Sequence, residues 1–264
     1  MTRVETSDIT PPIVVVKFGG TALGTPARIW LAALRVKEQI RQGFRPLVVV
    51  SAKGRTTDRL LAEIRAVCRD KGHVGESAQR EVDRALATGE TFSAALLAAA
   101  LSGAGVRAES VSASEAVLLA AGPFGAARLL ELKPGRVGCL LHRNVVPVVA
   151  GFQGIREDGE LVTLGRGSSD VTAVFLASQL RASACHIVTD VDGIYEQDPR
   201  VAPGSPRYRA LSFEHLVDLA ENGARVVHPQ AARAAHSASI PLHVYHYRAS
   251  LGKPGGTVVG GIVQ

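Results

Sequence analysis

Short, continuous apolar runs alternate along this chain with segments whose apolar positions recur every three or four residues. The runs at 13–16, 46–51 and 144–152 are rich in Val and Ile, as strands covered on both faces of a parallel sheet tend to be. Between the first two, residues 26–42 place Ile29, Trp30, Ala33, Leu34, Val36 and Ile40 near one helical face, and Gly43 follows as a stop. A helix between two such strands is a βαβ unit. The same reading predicts helices over 60–70, 171–180, 212–223 and 230–238, the third capped by Ser212. Strands are predicted over 108–111, 129–130, 186–190, 241–247 and 256–259. Residues 79–104 read as two helices broken at Thr88-Gly89, so that Glu90 opens the second and offsets its positive end. Residues 151–165 read as a hairpin turning on Asp158-Gly159. The pattern is α/β with a largely parallel sheet, softly divided near Ala150-Gly151.

Composition narrows the class. The 264 residues, 46% hydrophobic and 20% charged, suffice for one large α/β domain or two modest ones. Apolar stretches such as 94–101 fall short of a membrane span. Residues 1–12 are polar, carry Glu5 and Asp8 and lack a signal pattern, so they read as a loose tail before a folded region at 13–264. Three scattered cysteines without a C-x-x-C pair point to reduced thiols in a cytoplasmic compartment, with Cys139 and Cys185 as core residues. The net charge of +6 is spread without a basic run, and aromatics make up 5%. That favours a cleft for small anions over a nucleic-acid surface.

Candidate chemistry sits where strands end. Lys17-Phe18-Gly19-Gly20-Thr21 sets a cation beside exposed backbone N–H groups, a geometry suited to phosphate. After the second strand come Ser51 and a polar loop with Thr57 and Asp58, either of which could simply cap the next helix. Gly165-Arg166-Gly167-Ser168-Ser169-Asp170 opens a helix with N–H groups, hydroxyls and a guanidinium. Ser169 or Asp170 could cap it, but capping does not require Arg166 between glycines. The acids of 190–198 lack EF-hand spacing. His228, beside Pro229, reads as structural, and His243 and His246 point to opposite strand faces, so no metal site is predicted.

In order, Lys17-Phe18-Gly19-Gly20-Thr21, Val50-Ser51-Ala52 with Thr56-Thr57-Asp58, Gly89-Glu90, Gly151-Phe152-Gln153-Gly154, Thr163 through Asp170, Thr189 through Tyr195 with Asp198-Pro199-Arg200, and Gly223 through Pro229 span nearly the whole chain. Together they resemble the catalytic region of aspartate kinases within the amino acid kinase family. The resemblance implies a three-layer α/β/α sandwich that phosphorylates a carboxylate with ATP, assisted by Mg²⁺, to give an acyl phosphate. It also implies that 13–150 serves the amino acid and 151–264 the nucleotide. Lys17, Gly19 and Gly20 would hold phosphates, and Thr189, Asp190, Tyr195 and Arg200 would frame the nucleotide. Arg225 and Val226 would close over it, and Asp170 would order the basic groups. Arg166 would pair with the α-carboxylate within a loop that includes Gly167, Ser168 and Ser169. Glu90 would take the α-amino group, and Ser51 and Thr57 the side-chain carboxylate. The partners expected are small molecules, with neither nucleic acid nor membrane, and a homodimer is the assembly common in the family.

Departures from the family pattern leave a second acceptor open, a different amino-acid carboxylate or analogue. Ala22 stands where Ser is usual, Ser168 where Gly is, Arg225 where Lys is, and His246-Tyr247-Arg248 replaces Asn-Thr-Phe. Ser168 is expected to set a hydroxyl beside the substrate. Family members commonly continue into regulatory domains, whereas five residues follow Val259, which predicts a catalytic domain without built-in feedback control.

Overall fold

The computed structural model describes residues 11–68, 76–133, 135–197, 199, 201–223 and 226–261. Of the predicted site residues, Arg200 and Arg225 lie outside that set, as do tail residues 1–10. The first half runs β1 (Ile13–Phe18), α1 (Pro26–Arg41), β2 (Arg45–Val50), α2 (Thr56–Cys68), α3 (Glu76–Gly103), β3 (Ala108–Val111), α4 (Ala113–Ala116), β4 (Leu118–Ala121), β5 (Arg128–Leu132), α5 (Arg136–His142) and β6 (Val146–Ala150). The second runs β7 (Gln153–Ile155), β8 (Leu161–Thr163), α6 (Ser169–Gln179), β9 (Ala184–Thr189), β10 (Ala210–Leu211), α7 (Phe213–Glu221), α8 (Pro229–Ala238), β11 (Leu242–His246) and β12 (Thr257–Val259).

Eight strands form one sheet in the order β10-β12-β11-β9-β1-β2-β6-β3, parallel throughout except where β11 meets β12. Both chain halves therefore share a sheet, with β1 from the first half paired to β9 from the second. The period of two along β1 assigns its faces. Val14, Val16 and Phe18 pack with α1 and α3 in one apolar layer. Val15 packs on the other face with α6 and α8. This is the three-layer α/β/α sandwich. Lys17 shares its face with Val15, which brings its side chain to α6. A smaller sheet, β5-β4-β7-β8, stands at one side.

Several expectations need correction. Residues 79–104 are not two helices: α3 is continuous from Glu76 to Gly103. Gly89 does not break it but allows close approach, since a Cβ there would lie 2.9 Å from that of Ala52. Glu90 is consequently mid-helix and plays no dipole role. By length and composition Ala78–Gly103 could cross a membrane. Here Ala94, Leu97, Ala98 and Leu101 bury one face against the sheet, as in a core helix. On α1, Trp30 and Ile40 point outward, while Arg35 and Gln39 are buried. Cys185 is buried, but Cys139 is exposed, on the opposite face of α5 from Val137, Leu140 and Leu141. The β7–β8 connection is not a two-residue turn. Arg156 O accepts from Gly159 N–H at 2.9 Å and Arg156 N–H donates to Glu160 O, giving a three-residue loop closed by Gly159 at φ +84°. Neither Ser169 nor Asp170 caps α6; both lie in its first turn after Ser168. Thr57 and Asp58 likewise lie within α2. Pro11 and Pro12 are not loose, because their carbonyls accept from Arg45 at 2.8 and 2.9 Å.

Candidate active site

The chain leaves β1 for β2 on one side and later returns to place β9 on the other. Open α/β sheets bind ligands outside the carboxyl ends of strands at such a switch point. The loops after β1, β2, β6 and β9 all emerge at that edge, because these strands are parallel. Gly19 N–H donates to Val188 O at 3.0 Å and Ser51 N–H to Phe18 O at 3.0 Å, stitching neighbouring loops together. Gly20 sits where only glycine fits: a Cβ would lie 2.5 Å from Ala52 O. Its own carbonyl accepts from Gly54 N–H at 2.9 Å. Next to this turn, Lys17 Nζ lies 2.6 Å from Asp170 Oδ1, with both side chains about nine-tenths buried. Asp170 Oδ2 accepts from His228 N–H at 3.3 Å. The result is a fixed cation, braced by a carboxylate from α6 and adjacent to glycine backbone. Such a site attracts phosphate oxygens.

A second group of polar side chains gathers around the loop after β2. Glu90 is 3% exposed, and its Oε1 accepts from Ala52 N–H at 3.0 Å. Among the described residues Oε2 has no hydrogen-bond partner. Burial pushes the carboxyl up to about 7, partly countered by the Ala52 N–H. A buried carboxylate with a bare oxygen is costly, and an incoming ammonium would relieve it. Ser93 Oγ accepts from Lys53 N–H at 2.9 Å and donates to Gly89 O, fixing the same loop. Ser51 and Thr57 are half-buried at either end of that loop.

The Arg166 side chain is 72% exposed and, among the described residues, forms a 3.9 Å ion pair with Asp58. Flanking Gly165 and Gly167 have φ of +87° and +80°, so the loop needs glycine at both positions. Arg166 is thus a planar cation on a turn, weakly tethered and able to pair with a carboxylate. Ser168 departs from its expectation. It is buried, and its hydroxyl lies 2.8 Å from Leu164 O and 2.6 Å from Gly165 O, which holds its proton inside the loop rather than beside a substrate. Ser169 is also buried, its Cβ 3.0 Å from where one would stand on Gly151.

Beyond β9, Thr189 Oγ1 donates to Asp190 Oδ1 at 3.2 Å. Tyr195 donates its hydroxyl to Asp192 Oδ1 at 2.6 Å, and that bond holds the Asp192 carboxyl below and the Tyr195 phenol above their ordinary values. Arg207 braces Asp192 through Oδ2 and the carbonyl, both at 2.9 Å. A cavity of about 520 Å³ opens here, lined by Asp190, Val191, Asp192, Tyr195, Pro199 and His246. Val226, which the resemblance places at the nucleotide, is partly buried and packs against the apolar layer that includes α6 and α8. His228 caps α8, its Nδ1 accepting from Gln230 N–H at 3.2 Å. Among the described residues no three His, Cys, Asp or Glu side chains cluster as a metal cage.

Sequence reasoning missed Asp83 and Ser93. Asp83 is fully buried and accepts from Thr163 N–H (2.6 Å), Thr163 Oγ1 (3.0 Å) and Gly125 N–H (2.8 Å). It ties α3 to the strand that leads into the Arg166 loop. An acid on the apolar face of a helix was the available signal.

A doubly wound sheet whose strand ends carry a buried lysine braced by a carboxylate, glycine backbone and an arginine loop is an α/β architecture suited to binding small anionic molecules. The sequence profile of the amino acid kinase family matches residues 12–246, and the chain belongs to that family. It is 39% identical over 247 residues to an aspartokinase of Geobacillus stearothermophilus, covering 94% of this chain and 58% of the relative. It is 39% identical over 253 residues to an aspartokinase of Mycobacterium tuberculosis, covering 96% and 58%. The chain thus spans just under three-fifths of these relatives. Among solved structures it is similar to aspartate kinase from Synechocystis (TM-score 0.79, 38% identity, 93% of this chain and 39% of that one). It is also similar to E. coli aspartokinase III in complex with aspartate and ADP (TM-score 0.81, 29% identity, 94% and 64%).

Proposed function

We propose that the protein phosphorylates the side-chain carboxylate of L-aspartate with ATP, giving 4-phospho-L-aspartate and ADP. The observation that carries this reading is the unpartnered Glu90 Oε2, buried beside the loop after β2 within the same cleft edge as the Lys17–Asp170 pair. It asks for a ligand with an ammonium group, and Arg166 offers a partner for that ligand's α-carboxylate. The names of the relatives, among them one in complex with aspartate and ADP, support the same choice.

Each group then has a task. The side-chain carboxylate of aspartate is ionised at neutral pH and is itself the nucleophile, so no general base is required. Glu90 and Arg166 hold the two ends of the amino acid, and Ser51 and Thr57 orient the carboxylate that attacks. Alignment of this kind can supply a large part of the barrier reduction. Lys17 and the Gly19-Gly20 backbone hold phosphate oxygens and stabilise charge as the phosphoryl group moves. Asp170 fixes the lysine. Mg²⁺, arriving with the nucleotide, supplies charge screening of the phosphates. Asp190 and Tyr195 frame the nucleoside side, with Arg200 and Arg225 completing it. In this reading 13–150 contributes most of the amino-acid side and 151–264 most of the nucleotide side, with Lys17 and Arg166 crossing over.

The test is ATP consumption across a panel of amino acids, with hydroxylamine present to trap acyl phosphate as a hydroxamate. Aspartate-dependent hydroxamate supports the reading. Turnover only with another amino acid, or none with any, overturns it. The Ser168 hydroxyl bonds to carbonyls of its own loop, so this one departure gives no support to a different acceptor.

A further inference from the structure

The cleft edge has opposite character at its two ends. Near β1 it presents Lys17 and glycine backbone. Near β9 and β11 the 520 Å³ cavity is lined by two carboxylates and two rings, Asp190, Asp192, Tyr195 and His246. Carboxylates repel phosphate, so the group that suits this end is the uncharged part of a nucleotide. His246 belongs to a prebuilt plate. Its ring stacks on that of Tyr247 with centroids 4.4 Å apart and planes 29° from parallel.

Tyr247 is held from every side. Its N–H donates to Thr189 O at 2.8 Å, which ties the plate to the end of β9. Its ring lies under the guanidinium groups of Arg28 and Arg248, at 4.7 and 5.5 Å from the centroid. Its carbonyl accepts from the buried Arg35 at 3.2 Å, and the same nitrogen donates to Ala249 O at 2.6 Å. Arg28 also donates to Thr21 O at 2.8 Å, in the turn that follows Gly19-Gly20. The plate is therefore mechanically linked to the phosphate turn. His246 Nδ1 accepts from Arg248 N–H at 3.0 Å, which leaves the proton of the neutral ring on Nε2, the opposite edge.

From this arrangement we infer that His246 contacts the base of the bound nucleotide, as the outer ring of a Tyr247-backed stacking plate that helps determine nucleotide affinity. The inference rests on the kinase reading above and deepens it. A flat ring held rigid before binding loses little freedom on stacking, which makes its contact with a base favourable. The Nε2 proton adds a donor for a base nitrogen. The pattern His246-Tyr247-Arg248 is this chain's own variation on the family stretch, and the plate gives that variation a physical role.

Binding to the full chain is measured by calorimetry with two probes, ATP with Mg²⁺ and inorganic tripolyphosphate with Mg²⁺, for wild type, His246→Ala and His246→Phe. Melting temperatures check that each variant is folded. His246→Ala is expected to weaken ATP about tenfold, the size of one lost base–ring stack, and to leave tripolyphosphate unchanged. His246→Phe keeps the ring and is expected to restore most of the ATP affinity. In turnover, the Ala variant raises KM for ATP and not KM for aspartate. The inference fails if the folded Ala variant binds ATP as tightly as wild type, or if it loses tripolyphosphate binding to the same extent. Wild type that binds neither probe overturns the kinase reading itself, an outcome separate from failure of the His246 contact alone.

Discussion

Glu90 couples substrate, proton and stability through one buried atom. Its carboxyl titrates near 7 rather than its ordinary 4.5, chiefly because burial disfavours the ionised form. Between those values the unfolded chain has released this proton while the folded chain keeps it. The native state binds more protons, so unfolding free energy falls as pH rises through the window. At about 1.4 kcal/mol per pH unit, the loss from below 4.5 to above 7 amounts to roughly 3 kcal/mol. Glu90→Gln keeps an acceptor for Ala52 N–H and removes the titration. Urea unfolding of both proteins across this range, without ligand, isolates the effect as the difference between them. Other titrating groups cancel in that difference, including His186, whose burial lowers it to about 3. The wild-type advantage over the Gln variant is expected to shrink by roughly 3 kcal/mol on going from about pH 4 to about pH 8. A flat difference, or one that grows with pH, refutes the reasoning. Aspartate reverses the balance, since its ammonium needs the ionised carboxylate. KM for aspartate therefore rises on acidification below about 7, while KM for ATP does not follow it.

Four further outcomes are expected. Lys17→Ala lowers turnover by about three orders of magnitude in a protein that still folds, and a folded variant with wild-type turnover removes the phosphate assignment. Arg166→Ala raises KM for aspartate while leaving urea stability within about 0.5 kcal/mol, because the side chain is exposed. Equal use of aspartate by that variant counts against its carboxylate role. Gly20→Ala drives a Cβ to 2.5 Å from Ala52 O and is expected to cost about 1–3 kcal/mol along with activity, read by melting temperature and assay together. Asp83→Ala strips the acceptor from two backbone N–H groups and a hydroxyl, so urea unfolding should register a loss of about 3 kcal/mol.

The proposed phosphate end of the site was legible as a cluster in the chain because its parts are local. Lys17, Gly19 and Gly20 sit within one strand-to-turn segment, although glycine after a buried strand is by itself usually only a tight turn. The Arg166 loop was legible for the same reason. Glu90 was found through the Gly89-Glu90 pair, but its setting was misread. A glycine inside a helical pattern signals both a break and a close approach, and only the packing of α3 against Ala52 distinguishes them. Ser168 illustrates the converse: an added hydroxyl looked available to a ligand, yet two carbonyls of its own loop lie closer. The short elements α4, β4 and α5 escaped because four to seven residues carry too little periodicity to read. Arg35 escaped because a buried guanidinium is held by carbonyls of residues 247–250, more than two hundred positions away.

By itself the sequence determined the α/β alternation and the family likeness, and it pointed to the strand ends proposed to carry chemistry, since apolar period and glycine turns act over a few residues. Tertiary structure alone decided which loops meet. The pairing of β1 with both β2 and β9 brings Lys17 to Asp170, 153 positions further along the chain. The same pairing sets Glu90 under the loop after β2 and His246 at the far end of the cleft. Such contacts depend on strand order and on which face each side chain takes, and neither is written in any local stretch of residues.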